Sequence, residues 1–544
     1  MKFKYFLIFL LLIYKQGLSQ NTITLSRPKL VVGIMVDQMR WDYLYRYYDR
    51  YKTNGFKRML NEGFSCENTY IDYIPTVTAI GHTTVYTGSV PAIHGIAGND
   101  FILNSTGATV YCTDDSTAKT VGSTSKEGEM SPKNLLVTTI TDELKLATNF
   151  RSKVIGIAMK DRGSILPAGH TANAAYWFDN LTGNWITSTY YMNQLPPWVT
   201  KFNDQKLVEK YLQQDWKPLY DIKTYVQSSP DSNGYEGAFA GMTSAVMPVK
   251  TSAMAKNNFD LIRTTPYGNS FTFDFAKSAI ESEQLGKGSQ TDFLAVSLSS
   301  PDYVGHRFGV NAIETEDTYL RLDKDLADFF TYIDTRIGKG NYTVFLTADH
   351  GAAHNAGFLT DNKMPAGLFA GAAAFKNLNA TLDSIYHINN LVLSLLNSQV
   401  HLNFAAIKKN KLDEGAIQKD CIKVLKTLPG VAFVVDMEKV AESSIPQELK
   451  SRIINGYHPE RSGSIQLVLQ PGIYSGSKTG TTHGSWNSYD AHIPLVWMGW
   501  GIRHGNTSRQ TYMSDISVTL AALLHIQSPN GSIGKSITEV LKSE

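Results

Sequence analysis

The chain has 544 residues, enough for one large α/β domain with insertions or for two to four smaller domains. Hydrophobic residues make up 42% of it and charged residues 18%, which excludes a disordered or fibrous protein. The formal charge of +2 excludes the strongly basic surface of a nucleic-acid-binding or membrane-surface protein.

Residues 1–19 have the pattern of a secretory signal peptide, with two lysines ahead of an apolar segment at 6–13 and the small residues Gly17 and Ser19 at a cleavage site. The apolar segment is too short for a bilayer, which needs about 20 residues. We therefore predict export to the periplasm or the medium, a mature chain at 20–544, and no membrane partner. Loss of three lysines brings the formal charge of the mature chain to −1.

Five apolar runs predict strands that are buried on both faces of one sheet, because they lack the polar alternation of half-exposed strands. The runs lie at 30–36, 154–159, 293–298, 342–347 and 493–498. Helical patterns separate them, including one at 313–337 and one that Ser131 and Pro132 would open. This alternation predicts an α/β fold with a mostly parallel central sheet sandwiched by helices.

Two stretches interrupt the alternation, and we interpret both as cap insertions into the domain at 20–544. The first, near 170–265, is rich in aromatic side chains, and the second, near 357–481, has its own helix and strand patterns. A small aromatic core is the favoured account of the first stretch, with substrate recognition as a secondary role.

Three cysteines, Cys66, Cys112 and Cys421, are too few for a disulfide scaffold and form no CxxC metal motif. One disulfide is permitted in an oxidising compartment. Cys66 and Cys112 are the nearest pair in the sequence, but the sequence does not decide the pairing.

Polar residues suited to chemistry lie at the ends of the predicted strands, where α/β sheets bind their ligands. In strand order they are Asp37, the Lys160-Asp161-Arg162 segment, Asp302 with His306, Asp349 with His350, and His483 in the loop before the fifth run. A single Asp after a strand is most often a turn former, and a single His is usually satisfied in a core. Their recurrence at one edge of one sheet indicates a shared site.

Three Asp and three His in this set offer oxygen and imidazole nitrogen donors, which zinc accepts where thiolates are absent. Six donors exceed the three that a catalytic zinc usually keeps, so the set fits two ions. The i, i+4 spacing of Asp302 and His306 would let one turn of helix point both side chains in the same direction.

The segment from Pro75 to Thr78 has the pattern of a tight entry into a short helix that starts with a hydroxyl residue. A hydroxyl is a weak nucleophile at neutral pH unless a base, a metal or a positive helix terminus lies beside it. Two metal ions about 4 Å apart suit phosphoryl transfer. We therefore predict that Thr78 is the nucleophile of a two-zinc phosphatase.

Lys160 and Arg162 are spaced i, i+2, which would place them on the same side of a strand. Their charges suit the non-bridging oxygens of a phosphoryl group, and Asn99 could donate an amide N–H to the same group. A solvated strand edge is an equally good account of the two basic residues.

Taken in order, these segments resemble the motifs of the alkaline phosphatase superfamily, and most closely its threonine-nucleophile, phosphate-irrepressible members. The resemblance covers essentially the whole mature chain. The matching segments are Val36-Asp37, Pro75-Thr76-Val77-Thr78, Gly98-Asn99, Lys160-Asp161-Arg162, Asp302-Tyr303-Val304-Gly305-His306, Ala348-Asp349-His350-Gly351 and Thr482-His483-Gly484.

The resemblance implies a division of the six ligands between two zinc ions. Asp302, His306 and His483 would hold one ion, and Asp37, Asp349 and His350 would hold the other. Thr78 would also bind the second ion and form a covalent phosphothreonine, while Asn99, Lys160 and Arg162 would bind the phosphoryl oxygens of small phosphate monoesters.

Differences within the superfamily narrow the prediction. Sulfatases carry a modified Cys or Ser in a C/S-x-P-x-R context, whereas Ile80 and His82 follow Thr78 at those offsets. Members with a serine nucleophile use an additional magnesium site. This sequence has no spare cluster of acidic residues for such a site. In the threonine-nucleophile members that the chain resembles, the lysine that corresponds to Lys160 takes over the role of the magnesium. We therefore expect two zinc ions per chain and no required magnesium.

Alternatives stay open at this stage. A nucleotide pyrophosphatase/phosphodiesterase shares the metal ligands, the Thr and the Asn, but it lacks a basic pair like Lys160 and Arg162. The presence of this pair favours dianionic monoesters as substrates. A non-catalytic zinc-binding or adhesive exported protein built on the same scaffold would lack at least one residue of the catalytic set. Every residue of that set is present in this sequence. A P-loop at Gly534 fails because its first glycine would fall at Pro529.

Two further histidines, His82 and His354, are undecided between support of the site and ordinary packing, with packing favoured. We expect a monomer with no nucleic-acid partner.

Overall fold

The computed structural model describes residues 25–256 and 258–542. The predicted signal peptide at 1–19 lies outside these residues. In the described part of the chain, the strand Leu30–Val36 lies inside a ten-stranded sheet. The strands of this sheet, from edge to edge, are Gly505–Thr507, Phe64–Cys66, Leu495–Gly499, Tyr342–Thr347, Leu30–Val36, Asp292–Leu298, Val154–Ala158, Ala174–Asp179, Asn184–Ser188 and Thr120–Val121.

Five neighbouring strands form the parallel centre of the sheet. Leu30–Val36 pairs in parallel with Asp292–Leu298 on one side and with Tyr342–Thr347 on the other. Val154–Ala158 and Ala174–Asp179 continue the parallel order. Every residue of these five strands is buried, which explains their unbroken apolar runs. The predicted α/β class with a large central sheet and flanking helices is confirmed.

The fifth predicted run, at 493–498, differs from the prediction of a parallel strand. Pro494 divides it, because proline has no N–H to donate to a ladder. His492–Ile493 pairs with Thr69–Tyr70, while Leu495–Gly499 joins the central sheet antiparallel to Tyr342–Thr347. The amino end of Leu495–Gly499 therefore lies at the same edge as the carboxyl ends of the parallel strands.

Helices flank the ten-stranded sheet and also pack against a second, smaller sheet, and no helix within the described residues has the length and apolarity to cross a membrane. In chain order they are Tyr43–Arg46, Phe56–Glu62, Thr78–Thr87, Pro91–His94, Ile140–Ala147, Asp161–Ala168, Pro197–Asn203, Leu207–Leu212, Thr251–Met254, Tyr267–Ser282, Ser300–Phe308, Ile313–Ile333, Ala356–Asp361, Gly371–Tyr386, Phe404–Lys409, Glu414–Leu425, Gln447–Gly456, Ser488–Ala491 and Asp515–Leu524.

One helix begins later than predicted. Ser131 caps no helix: its hydroxyl donates to Asp115 Oδ2 at 2.6 Å and accepts from the Lys133 N–H, but residues 132–139 form no helix. Helix Ile140–Ala147 begins nine residues further on, capped by Thr139. The amphipathic pattern at 313–337, in contrast, corresponds to helix Ile313–Ile333.

The aromatic stretch near 170–265 contributes to the main core. Its strands Ala174–Asp179 and Asn184–Ser188 belong to the central sheet. The ring of Trp185 stacks on Phe271 and Phe275 at centroid distances of 5.1 and 4.4 Å. The interpretation of this stretch as a cap insertion stays a prediction.

The stretch near 357–481 contains a second sheet with separate hydrophobic clusters. Its four strands, in spatial order, are Val392–Ser394, Gln399–Leu402, Ile465–Leu469 and Val431–Asp436. Three small sheets complete the described chain, and they pair Gly367–Leu368 with Ile473–Tyr474, Thr69–Tyr70 with His492–Ile493 and Thr511–Tyr512, and Asp100–Ile102 with Thr109–Tyr111. The insertion boundaries stay predictions.

The three cysteines are buried and free, so the suggested pair of Cys66 and Cys112 is not formed. Burial raises the pKa of the Cys66 thiol to about 12. A thiol that stays protonated is unreactive, which is consistent with a packing role for this side chain.

Asp142 stabilises the start of helix Ile140–Ala147. Its N–H donates to the Thr139 hydroxyl, and its carboxylate accepts from the Thr139 N–H, both at 3.0 Å. The His170 ring and the Thr171 N–H also donate to this buried carboxylate. Burial alone would raise the pKa of Asp142, but His170 and the Thr139 hydrogen bond outweigh it and lower that pKa to about 2.

We expect Asp142→Asn to lower the free energy of unfolding by about 2 kcal/mol at neutral pH, because the carboxyl pKa drops by about two units on folding. A lowered folded-state pKa stabilises the protein above about pH 5, and this contribution is lost as the pH falls from about 4 toward 2. Thermal unfolding of the wild type and of Asp142→Asn at pH 7 and pH 3 measures this contribution to stability. The gap between the midpoints should shrink to about half at the lower pH, and an unchanged gap would contradict the assignment.

Candidate active site

Polar side chains from several strand ends meet at the carboxyl edge of the parallel strands. Asp37 directly follows Leu30–Val36, and Asp302 lies in the first turn of helix Ser300–Phe308. The expected i, i+4 contact is present, since Asp302 Oδ1 lies 3.1 Å from His306 Nε2. His483 reaches the same edge because the strand that follows it is antiparallel.

Five of the six predicted ligands form two adjoining groups, which share Asp302. In each group, three potential ligand atoms lie within 4.8 Å of one another. The groups are Asp302 with His306 and His483, and Asp37 with Asp302 and His350. The first group matches the predicted division of ligands. In the second, Asp302 takes the place that we expected for Asp349, whose Oδ2 lies 3.5 Å from His350 Nε2. Asp302 thus reaches both groups.

All three histidines of these groups are oriented in the same way. Nδ1 lies 2.9 Å from the Thr481 carbonyl in His306, 3.0 Å from the Gly351 carbonyl in His350, and 2.8 Å from the Thr76 carbonyl in His483. A carbonyl oxygen only accepts, so Nδ1 carries the proton and the Nε2 lone pair faces the carboxylates. This is the orientation that protein-bound metal ions require of imidazole.

Two carboxylate oxygens in the cluster lack a donor. Asp37 Oδ1 and Asp349 Oδ2 are buried without a hydrogen-bond partner among the described residues. Both lie close to His350 Nε2, at 3.6 and 3.5 Å. Buried polar atoms are rarely left unpaired. The donor set of carboxylate oxygens and imidazole nitrogens therefore fits zinc.

The charge balance of the cluster also favours a cation. Burial raises the pKa of Asp37 well above its ordinary value, and Asp302 and Asp349 add to this effect. Burial lowers the pKa of both His350 and His483, so these imidazoles are neutral near pH 7. A bound cation would favour the ionised form of Asp37, because an opposite charge lowers a carboxyl pKa.

Thr78 is the first residue of helix Thr78–Thr87 and is buried. Its Oγ1 lies 3.5 Å from His350 Nε2 and 3.5 Å from Lys160 Nζ. The residue before the helix, Val77, has an extended backbone and an apolar side chain that cannot cap. The hydroxyl thus lies at the positive end of a helix and beside the second ligand group.

The side chain of Asn99 caps the helix start in place of Val77. Its Oδ1 accepts a hydrogen bond from the Ala79 N–H at 2.9 Å. With the carbonyl oxygen used in this way, the amide N–H groups of Asn99 are the ones available to a ligand beside Thr78.

Lys160 connects Thr78 with both groups of ligands. Its ammonium lies 2.6 Å from Asp37 Oδ2 and 2.5 Å from Asp302 Oδ2. Burial alone would lower the pKa of Lys160, but Asp302 and Asp37 outweigh burial and raise it. The lysine is therefore charged beside the Thr78 hydroxyl.

Lys160 and Arg162 do not share a strand, contrary to the prediction. The strand Val154–Ala158 ends before them, and Arg162 lies in the first turn of helix Asp161–Ala168. A carboxylate is favourable at a helix start, which explains why the helix begins at Asp161.

Arg162 is held by Tyr111 rather than by contact with Thr78. Its Nη1 donates to the Tyr111 hydroxyl at 2.9 Å, and that hydroxyl donates to Asp161 Oδ1 at 2.8 Å. The Thr113 hydroxyl donates to the other oxygen of Asp161 at 2.5 Å. Tyr111 and Thr113 have no signal in the sequence, because they lie about 50 residues before the helix that they contact.

His82 and His354 have different surroundings. The His82 ring donates from Nδ1 to the Thr78 carbonyl at 2.9 Å and accepts from the Ser297 hydroxyl at 2.7 Å. The same Nδ1 lies 3.4 Å from Asp349 Oδ2. His82 therefore contacts both Thr78 and Asp349, and its role in supporting the site stays a prediction. His354 contacts Asn311 Oδ1 at 2.6 Å.

Comparison with known proteins agrees with this arrangement. A family profile described as "Type I phosphodiesterase / nucleotide pyrophosphatase" matches residues 31–492. The chain belongs to this family. The resemblance of its motifs to the alkaline phosphatase superfamily is thereby confirmed.

Three relatives in the family cover almost the whole chain. "Calcium-transporting ATPase" of Myroides odoratus is 61% identical over 95% of each chain. "Alkaline phosphatase PhoV" of Synechococcus elongatus is 55% identical over 95% of this chain and 94% of its own. "Alkaline phosphatase PafA" of Elizabethkingia meningoseptica is 51% identical over 96% of each chain. The crystal structure of wild-type PafA superposes with a TM-score of 0.94 at 50% identity, over 95% of this chain and all of that one.

We expect His306→Ala to remove about one metal ion per chain, because it deletes one of the three ligands of the first group. His354→Ala is the matched control, since it removes an imidazole that contacts Asn311 instead. Elemental analysis of protein purified without chelator measures both. Equal metal content in the two variants would contradict the assignment of His306.

Proposed function

We propose that this family member is a zinc-dependent alkaline phosphatase that hydrolyses small phosphate monoesters through a covalent phosphothreonine at Thr78. The products would be inorganic phosphate and an alcohol or phenol. The observation that carries the proposal is the position of the Thr78 hydroxyl, 3.5 Å from both His350 Nε2 and Lys160 Nζ and beside two groups of ligands for metal ions.

Two of the three relatives are named alkaline phosphatases, and their 51% and 55% identity over nearly the whole chain identifies this protein as a phosphatase. The relative named for calcium transport has the highest identity of the three. Its name describes a different activity, and we give it less weight than the geometry around Thr78.

Two zinc ions would lower the pKa of the attacking hydroxyl and neutralise negative charge as phosphorus is transferred. The side chains of the protein do the positioning. Thr78 presents its hydroxyl from a helix start, and the Asn99 amide is directed to the same place by its bond to Ala79. Lys160 supplies a buried positive charge within reach of the phosphoryl oxygens.

The basic side chains support a monoester as the substrate class. A phosphate monoester carries one more negative charge than a diester, so it gains more from a nearby ammonium and guanidinium. Lys160 is already beside Thr78, and Arg162 supplies a second positive charge, which donates to the Tyr111 hydroxyl. The second candidate is a phosphodiesterase, which the name of the family favours.

Export to the periplasm or the medium is part of the proposal and depends on the predicted signal peptide at 1–19. We also propose that the enzyme needs no magnesium, because Lys160 holds a positive charge where a further cation would act.

We expect Thr78→Ala to reduce kcat by at least about 1,000-fold, because the nucleophile is lost. Thr83→Val is the control, since Thr83 lies one turn further along the same helix and its hydroxyl bonds only to the Ala79 carbonyl. Acid quenching during turnover, followed by mass spectrometry, should find phosphate on Thr78. Wild-type turnover by Thr78→Ala, or label on another residue, would contradict the role of Thr78.

We expect the protein to hydrolyse an aryl phosphate monoester far faster than the matching diester. Arg162→Ala and Lys160→Ala should each reduce monoester kcat/KM by about 100-fold or more and diester kcat/KM much less. Lys153→Ala is the control, because this lysine lies just before the opposite end of strand Val154–Ala158. Metal content is measured in each variant, since Lys160 also contacts two ligands. Faster diester hydrolysis would favour the phosphodiesterase.

A further inference from the structure

We propose that Gln38 is a positioning residue that fixes two of the predicted metal ligands relative to each other. It does so by binding one carboxylate from each of two strand ends, those of Asp302 and Asp349. The inference rests on the proposed function, because it concerns how this chain would hold its metal ions.

The contacts of Gln38 join two separate parts of the chain. Its backbone N–H donates to Asp349 Oδ1 at 3.0 Å, and its side-chain Nε2 donates to Asp302 Oδ1 at 2.6 Å. Asp349 follows one neighbour of the central strand, and Asp302 follows the other. Gln38 itself follows the central strand directly after Asp37. Gln38 therefore contacts the carboxylates that follow the two neighbours of the central strand.

The backbone at Gln38 is held in an uncommon conformation. Its φ is +65°, in the left-handed region that residues with a side chain seldom adopt. This turn directs the N–H toward Asp349 while the side chain points to Asp302. Strained backbone of this kind persists where surrounding contacts impose it, and it is concentrated at functional sites.

The helix that carries Asp302 leaves space for the Gln38 amide. A carboxylate accepts only, so Nε2 faces Asp302 and Oε1 faces the other way, toward Gly305. A Cβ on Gly305 would lie 1.9 Å from Gln38 Oε1, so the Gln38 side chain would have to move away from its present position. Glycine at 305 is thus a steric requirement of the Gln38 contact.

An amide suits this role because it is neutral. Lys160 already contacts Asp302 Oδ2, and His306 lies beside Oδ1. A second positive group at Gln38 would compete with a metal ion, and a carboxylate there would add repulsion. An amide donor fixes the orientation of Asp302 and leaves its charge available. Residues that orient metal ligands in this way typically change metal affinity by about 10- to 100-fold.

The test compares Gln38→Ala, Gln38→Asn, Gly305→Ala and the double variant Gln38→Ala/Gly305→Ala. Asparagine tolerates a positive φ and keeps the N–H bond to Asp349, but it is one carbon too short to reach Asp302. Zinc affinity is measured by competition with a chelator on metal-free protein, and kcat and KM are measured on an aryl phosphate.

We expect each single variant to bind zinc at least about tenfold more weakly and to lose kcat with little change in KM. In the Gln38→Ala background, Gly305→Ala should add almost nothing, because its nearest remaining contact is Thr481 Cγ2 at 3.7 Å. Gly415→Ala, in helix Glu414–Leu425 where the new Cβ has an ordinary contact at 3.4 Å, is the control for glycine replacement in a helix.

Wild-type zinc affinity in both Gln38 variants would overturn the inference, as would additive losses from Gln38→Ala and Gly305→Ala. These outcomes are distinct from failure of the proposed function. In that case, the wild-type protein itself would bind no zinc or would not hydrolyse the monoester.

Discussion

The burial of three carboxylates at one edge of the sheet is the constraint on which the rest of the site depends. Asp37, Asp302 and Asp349 lie at the ends of three adjacent parallel strands and are almost completely inaccessible to water. Removing an ionised carboxylate from water costs several kcal/mol unless a partner compensates. Lys160 supplies one positive charge, which is too little for three negative charges. The remaining deficit is the electrostatic reason to expect bound cations.

The other residues of the site are arranged around this deficit of positive charge. Three imidazoles turn the Nε2 lone pair toward the carboxylates because each Nδ1–H is bound to a backbone carbonyl. The carbonyls belong to segments that the fold brings to the same edge. Thr78 enters from a helix whose start lacks a capping side chain of its own, and Asn99 compensates from a neighbouring segment. The site is thus assembled by backbone hydrogen bonds as much as by its charges.

Sheet direction explains how distant segments come together. Parallel strands present all their carboxyl ends at one edge. Strand direction alone therefore brings Asp37, Asp302 and Asp349 to the same edge. His483 would lie at the wrong edge if the strand after it were parallel. Because Leu495–Gly499 runs antiparallel, the loop before it returns to the site. The crystal structure of PafA superposes on this chain with a TM-score of 0.94, so the two proteins share the fold that brings these segments together.

The sequence by itself determined the α/β class, four parallel strands of the central sheet and a set of polar residues, Thr78 among them, that the fold brings to one edge of that sheet, since unbroken apolar runs and polar strand ends are local patterns. It did not determine the direction of the strand after Pro494, which depends on pairing with Tyr342–Thr347 far earlier in the chain. It also did not determine that Arg162 lies in a helix, or that helix Ile140–Ala147 begins after the Thr139 cap. Gln38, Tyr111 and His82 gain their roles only in three dimensions. Their partners lie from a few to more than 300 residues away, and such distances leave no periodicity in the sequence.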